Sequence, residues 1–231
     1  MANYGMIIDL KNCVGCAGCD IACKTENNLD HDVHWSFHIT ETTGVFPNVG
    51  YRYIPKLCNH CENAACVKVC PTQAMYKDEN GLTLHDPDKC IGCRSCELAC
   101  PYGCISYNED VQHQHQWQMD TEPLLEGITS SGKEIAEKFD NVPFPNYNPD
   151  RAKTYDGVRR KGIVEKCTLC DHRILDGKDP WCVVSCPADA RIFGDFDDPK
   201  SEVSILLAEN SAFQLLKSKG TKPKVYYINE F

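Results

Sequence analysis

Sixteen of the seventeen cysteines in this 231-residue chain fall into four quartets. The first is Cys13, Cys16, Cys19 and Cys23, and the second Cys58, Cys61, Cys66 and Cys70. The third is Cys90, Cys93, Cys96 and Cys100, and the fourth Cys167, Cys170, Cys182 and Cys186. In every quartet three residues separate the last cysteine from the one before it. Three thiolates on a tight loop match three corners of an iron–sulfur cube, while a fourth, carried onto a following helix, points toward a neighbouring cube. Pro71, Pro101 and Pro187 follow the last cysteine in three of the four quartets, as in cysteine runs that hold paired 4Fe–4S clusters. Four complete quartets imply four 4Fe–4S clusters, and therefore a path for electrons.

Two other uses of cysteine fit less well. Disulfide scaffolds belong to oxidising compartments, and seventeen is an odd number. Four thiols within eleven residues converge on one centre, which suits a metal and strains a disulfide. A zinc ribbon matches the fourth quartet taken alone, but two Cys-x2-Cys-x2-Cys-x3-Cys runs supply more ligands than two zinc knuckles need. Hydrophobic residues make up 42% of the chain, part of it cysteine, so the conventional core is modest. The clusters are expected to hold much of the fold together, and the iron-free chain to be largely unstructured.

The formal net charge of −9 argues against a nucleic-acid surface, which needs a basic stripe. No stretch approaches eighteen apolar residues, so no direct membrane span is expected. The opening Met-Ala-Asn-Tyr-Gly-Met-Ile-Ile-Asp has no basic n-region and no twin arginine, and reads as carrying no export signal of its own.

The elements that must position the cysteines are short. A strand over residues 5–10 leads into the first loop and one over 51–54 into the second. Segments 74–76 and 82–84 flank Asp78-Glu79-Asn80-Gly81, a hairpin signal, and 105–107 reads as a strand after the third quartet. Residues 108–162 show no sustained period and read as an ordered insertion; a loop of that length usually serves a partner. In the tail, Asp198 as N-cap with Pro199 after it predicts a helix whose apolar positions are Ile205, Leu206, Phe213, Leu215 and Leu216. A strand over 224–228 closes the chain.

The quartet order resembles the iron–sulfur (beta) subunits of the dimethyl-sulfoxide-reductase family of molybdopterin oxidoreductases over nearly the whole chain. The most specific stretches are 24–28, His34-Trp35, 58–71, Cys100-Pro101-Tyr102-Gly103 and 165–173. They are most similar to the arsenate-reducing branch, and the ending Lys222-Pro223-Lys224-Val225-Tyr226-Tyr227 is also similar to the pyrogallol transhydroxylase branch. The resemblance implies how ligands pair. Cys13, Cys16 and Cys19 would share a cluster with Cys186, and Cys167, Cys170 and Cys182 one with Cys23. Cys58, Cys61 and Cys66 would share a third with Cys100, and Cys90, Cys93 and Cys96 the fourth with Cys70. The implied fold class is α+β, with two ferredoxin-like units that each bind two 4Fe–4S clusters and a long partner-contacting insertion. Residues 1–57 and 163–231 would form the unit of quartets one and four, and 58–107 that of quartets two and three, with 108–162 bridging them.

The same resemblance implies a non-catalytic electron-transfer subunit, consistent with the lack of a nucleotide-binding glycine fingerprint, P-loop or catalytic dyad. Its partner would be a large catalytic subunit holding molybdopterin (bis-MGD), with a membrane anchor or a cytochrome- or quinol-linked donor beyond it. Arsenate-type reduction is the first reading of the partner's chemistry; other oxyanions, sulfur compounds or aromatic dehydroxylation are the alternatives. Co-export with the catalytic subunit would place the chain outside the cytoplasm, and a cytoplasmic home is the other possibility. A free-standing polyferredoxin is the competing function. Among the remaining residues, Cys104 reads as a small buried hydrophobe and His113 and His115 as part of a polar face. His60 and His172 lie inside cysteine loops, where they either tune a cluster or pack the loop, and Arg159-Arg160-Lys161 reads as a solvated basic turn.

Overall fold

The continuous apolar run Met6-Ile7-Ile8 forms the middle of a three-stranded sheet, because a strand covered on both faces needs apolar residues at every position. In the computed structural model, which describes residues 2–30, 32–109, 125, 127–131, 134, 138 and 148–229, this strand is β1 (Tyr4–Asp9). It pairs antiparallel with β8 (Arg191–Asp195), Tyr4 opposite Asp195, and parallel with β9 (Val225–Ile228), Met6 opposite Val225. Ile7 packs with Val203 and Ile228 on one face, while Met6 and Ile8 join the main core on the other. The first and last strands of the described chain thus share one sheet.

Each cysteine loop follows a strand and enters a helix. The first runs from β1 into α1 (Gly18–Asn27). The second follows a hairpin of two ten-residue strands, β2 (Ser36–Val45) with β3 (Asn48–Leu57), and enters α2 (Ala65–Lys68). Its root is buried at Ser36 and Leu57, whereas Val45 and Phe46 at the tip stand 81% and 87% exposed. The third follows the small hairpin β4 (Met75–Lys77) with β5 (Thr83–His85) and enters α3 (Ser95–Ala99). Asp78 Oδ1 closes that hairpin's turn by accepting from the amides of Asn80 and Leu82, and Gly81 supplies a φ of +70°. The fourth follows β7 (Val164–Lys166) and enters α4 (Asp171–Leu175), with α5 (Trp181–Val184) after it. β6 (Ile105–Tyr107) pairs with β7, so a sheet joins the segment after the third quartet to the one before the fourth, across residue 163.

Three expectations need correction. The tail helix is α6 (Glu202–Glu209) with Ser201 at its N-cap, not a helix capped by Asp198. Asp198 instead forms a turn, accepting from Lys200 N with its carboxylate and from Ser201 N with its carbonyl. Phe213, Leu215 and Leu216 lie beyond the helix, and Phe213 exchanges both backbone hydrogen bonds with Tyr227. The final cysteine sits inside a helix only in the first quartet; Cys70, Cys100 and Cys186 lie one or two residues past short helices. Arg159 is no solvated turn residue. It is wholly buried, and its Nε donates to Glu165 Oε2 at 2.8 Å.

His113, His115 and most of the 108–162 segment lie outside the described residues. The part from Asn148 onward packs tightly. Asn148 caps a 3-10 turn (Pro149–Lys153) and trades hydrogen bonds with Asn28, at the end of α1. Arg151, also wholly buried, reaches Asp171 Oδ1 at 2.8 Å, tying this turn to α4.

Candidate metal centres

All four loops bend in the same place. The residue before the second cysteine has positive φ in each: Gly15 (66°), His60 (42°), Gly92 (67°) and Leu169 (60°). A left-handed residue there folds the loop back so that its thiols face one centre. At Gly92 glycine is also needed for space, since a Cβ would stand 1.9 Å from the Gly162 carbonyl oxygen. His60 and Leu169 hold the same bend with full side chains, both buried against the protein.

The sixteen cysteines gather into four groups. Cys13, Cys16, Cys19 and Cys186 line one cavity, which we call the Cys13 group. Cys58, Cys61, Cys66 and Cys100 line a second, the Cys58 group, and Cys90, Cys93, Cys96 and Cys70 a third, the Cys90 group. Cys167, Cys170, Cys182 and Cys23 form the Cys167 group, in which all four are buried. There Asn27 Nδ2 stands 3.7 Å from Cys23 Sγ and 3.8 Å from Cys170 Sγ, placing the two sulfurs within reach of one amide. Each group contains three cysteines from one quartet and the final cysteine of another. Helix geometry explains the exchange within pairs of groups: α1 carries both Cys19 and Cys23, and α5 carries Cys182 with Cys186 just beyond it. In the same way α2 leads from Cys66 to Cys70, and α3 from Cys96 to Cys100.

The electrostatics suit a bound cationic centre. Burial, and after it the neighbouring thiols, pushes Cys61 up to about 11 and Cys66 up to about 12. Cys170 rises to about 12 for the same reasons, and Cys23 lies well above the ordinary range. Such clustered thiols ionise only around a metal that takes up their charge. Buried polar atoms beside them also lack partners among the described residues. Arg191 Nε and Nη1 belong to a residue lining the Cys13 cavity, and His85 Nε2 to one lining the Cys90 cavity. Four-sulfur donor sets suit zinc or iron–sulfur centres, and cluster sulfides offer acceptors to orphaned N–H groups.

His38 is a neighbour that sequence reading missed. Its Nδ1 lies 2.5 Å from Asp20 Oδ2 and its Nε2 3.9 Å from Cys19 Sγ. The hydrogen bonds to Asp20, and next to Cys19, lift its pKa to about 9, so it places a positive charge beside the Cys13 group. Cys19, Asp20 and His38 also bring three metal-ligating side chains within reach of one another, but His38 Nδ1 is taken by Asp20.

Comparison with known proteins decides the metal. Residues 49–131 and 150–196 match the family described as the 4Fe-4S dicluster domain. The chain is 52% identical over 227 residues to the iron–sulfur subunit of the arsenate respiratory reductase of Shewanella sp. (strain ANA-3), spanning 98% of this chain and 96% of that one. This chain belongs to the iron–sulfur subunits of the dimethyl-sulfoxide-reductase family. It is an electron-transfer subunit. A selenate reductase subunit of Mesobacillus selenatarsenatis is 38% identical, over 96% of this iron–sulfur subunit and 70% of its own length. A sulfite dehydrogenase subunit of Allochromatium vinosum is 35% identical, over 99% and 83%.

Of the other sequence candidates in this iron–sulfur subunit, Cys104 is 2% exposed and lines the Cys58 cavity beside that group's four cysteines, with its Sγ 3.2 Å from the Leu57 carbonyl. His172 is buried between Arg151 and Glu26, which take its two ring nitrogens. His60 Nδ1 accepts from Thr83 N. Asn27, Lys166 and Arg191 went unassigned. Asn27 and Lys166 stood within stretches singled out from sequence, but nothing in a linear pattern says that a lysine will be buried.

Proposed function

We propose that this chain holds four 4Fe–4S clusters, one in each cysteine group, and conducts electrons to or from a large molybdopterin catalytic subunit. The observation that carries the reading is the exchange of final cysteines, which links the Cys13 group to the Cys167 group and the Cys58 group to the Cys90 group. Each such pair corresponds to one ferredoxin-like unit, residues 1–57 with the tail and residues 58–107; the β6–β7 sheet suggests that the boundary with the tail falls after residue 166. When bound, each cluster accepts and releases one electron at a time. The chain's own part is to hold four thiolates per centre, exclude water from the buried groups and aim N–H donors and cations at the sulfurs.

The partner reaction proposed is reduction of arsenate, supported by 52% identity along almost the full length of an arsenate respiratory reductase subunit. A catalytic subunit carrying bis-MGD would do that chemistry, with a membrane anchor or quinol-linked donor supplying electrons and co-export carrying both subunits out of the cytoplasm. Anaerobic co-expression with a candidate large molybdopterin subunit tests this. The clusters, reduced with a dye, should reoxidise on addition of arsenate, only with the large subunit present and with molybdenum co-purifying. A stable iron-loaded chain that binds no large subunit, with no molybdenum, would favour the free polyferredoxin.

A further inference from the structure

Five described lysines and arginines are buried: Arg151, Arg159, Lys166, Arg191 and Lys224. Two are matched by carboxylates, Arg151 by Asp171 and Arg159 by Glu165. Lys224 reaches the Gly81 carbonyl within the field of Asp78, Asp197 and Glu62. Lys166 and Arg191 differ. Neither forms an ion pair with a carboxylate among the described residues. Lys166 Nζ donates to the carbonyls of Thr83 and Cys167. Arg191 gives Nη2 to Ser36 Oγ at 3.0 Å, while its Nε and Nη1 have no partner among the described residues. Asp20 is an acid whose charge acts on Arg191, but Ser36 and His38 take its oxygens. A cation left unpaired in the interior is costly, so its counter-charge must come from elsewhere.

Both cations stand between cysteine groups. Lys166 lines the Cys58 cavity and precedes Cys167, and the thiols that act on it are those of Cys58, Cys167 and Cys66. Arg191 lines the Cys13 cavity, and the thiols acting on it are Cys182, from the Cys167 group, and Cys19, from the Cys13 group. The first junction is also where no helix passes a cysteine from one group to the other. Lys166 therefore occupies the seam between the two pairs of groups, at the β6–β7 sheet. In the Cys90 cavity the cation is Arg94, which is half exposed and paired with Glu97.

We propose that Lys166 and Arg191 are fixed counter-charges of the electron path, each raising the reduction potentials of the two clusters it lies between. The Cys167 group, flanked by both, responds to both. The Cys90 group responds to neither. A positive charge favours the more negative, reduced cluster, and it acts strongly where water is excluded. This rests on the four-cluster reading above.

The test is a redox titration followed by electron paramagnetic resonance on the intact complex with its catalytic subunit, purified without oxygen. Lys166→Gln should lower two of the four potentials and Arg191→Gln two, with a single cluster common to both. Full iron with all four potentials unmoved in both variants overturns the proposal. If a neutral variant fails to assemble its iron, Lys166→Arg and Arg191→Lys decide: full iron with near wild-type potentials supports the role of charge, and shifted potentials in these charge-retaining forms overturn it. A wild-type complex with fewer than four reducible clusters would instead sink the underlying reading, so the two failures are distinguishable.

Discussion

The region built on the first and fourth quartets and the region built on the second and third solve the same problem with different means. The first has a conventional core: Met6, Ile7, Ile8, Val203, Val225, Tyr227 and Ile228 are all at most 2% exposed around the β8–β1–β9 sheet. The chain from Asn148 to Arg159 seals it with two buried ion pairs. The second region rests on three-residue strands, and its local apolar cluster is Met75, Cys96, Ile105 and Val164, in which a proposed ligand is itself a core member. The two regions are alike in having one open cysteine loop each, with Cys16 exposed in the first and Cys93 in the second. The second region also joins the main core through Leu82, Leu84 and Tyr102, but among the described residues only the first has an apolar cluster without cysteines, Ile7, Val203 and Ile228, that burial alone can hold when metal is absent.

Removing the iron should separate the halves most sharply. Amide hydrogen exchange after chelation is expected to lose nearly all protection over residues 70–107 and to keep some in β1 and β9. Equal loss in both would erase the distinction and return to the simpler expectation of a largely unstructured iron-free chain. Next in size is the ion pair sealing the first region. Arg159→Met removes the buried ion pair to Glu165, which keeps its hydrogen bonds from Trp35 and Asn108, and should cost about 3–5 kcal/mol in denaturant titration. A loss below about 1 kcal/mol would show the seal to be dispensable.

Acid should act on the second region through His85. Burial holds its pKa down at about 4, against 6.5 ordinarily, with Nδ1 2.8 Å from the Tyr155 hydroxyl. Between those values the unfolded chain takes up a proton that the folded chain refuses. The stability is therefore fully present above pH 6.5 and is lost as pH falls toward 4. His85→Gln should flatten the slope of stability against pH in that window; an unchanged slope would assign acid sensitivity elsewhere. The smallest effect is expected at Cys104. Cys104→Ala should leave the iron content unchanged and cost about 1 kcal/mol, as for loss of one buried group, whereas a drop in iron would make Cys104 a ligand.

Much of the site was legible because cluster ligation imposes its own spacing. Every quartet opens with cysteines three apart and closes with cysteines four apart, and the bend before the second cysteine is written as glycine in Gly15 and Gly92. Strands β1, β3, β4, β5, β6 and β9 followed from apolar runs and turn residues. What stayed hidden depends on tertiary placement. β2 is polar and mostly exposed, so its only support is pairing with β3. Helix α4 sits inside the eleven-residue gap of the fourth quartet, where a short helix leaves no period to read. The local signal at Asp198-Pro199 favoured an early helix start, but a turn at Asp198 moved it to Ser201. The arginine at 159 looked like part of an exposed basic run until Glu165 was seen folded against it. His38, Lys166 and Arg191 acquire meaning only from sulfurs distant in sequence.

The central claim is that four complete cysteine groups hold four iron–sulfur cubes. Native mass spectrometry of the chain prepared without oxygen, with its iron and zinc determined on the same sample, tests it most directly. The account predicts a mass increment of four 4Fe–4S clusters, about sixteen irons, and no stoichiometric zinc. Zinc in place of iron, or a fully loaded chain that holds fewer than four cubes, would contradict it.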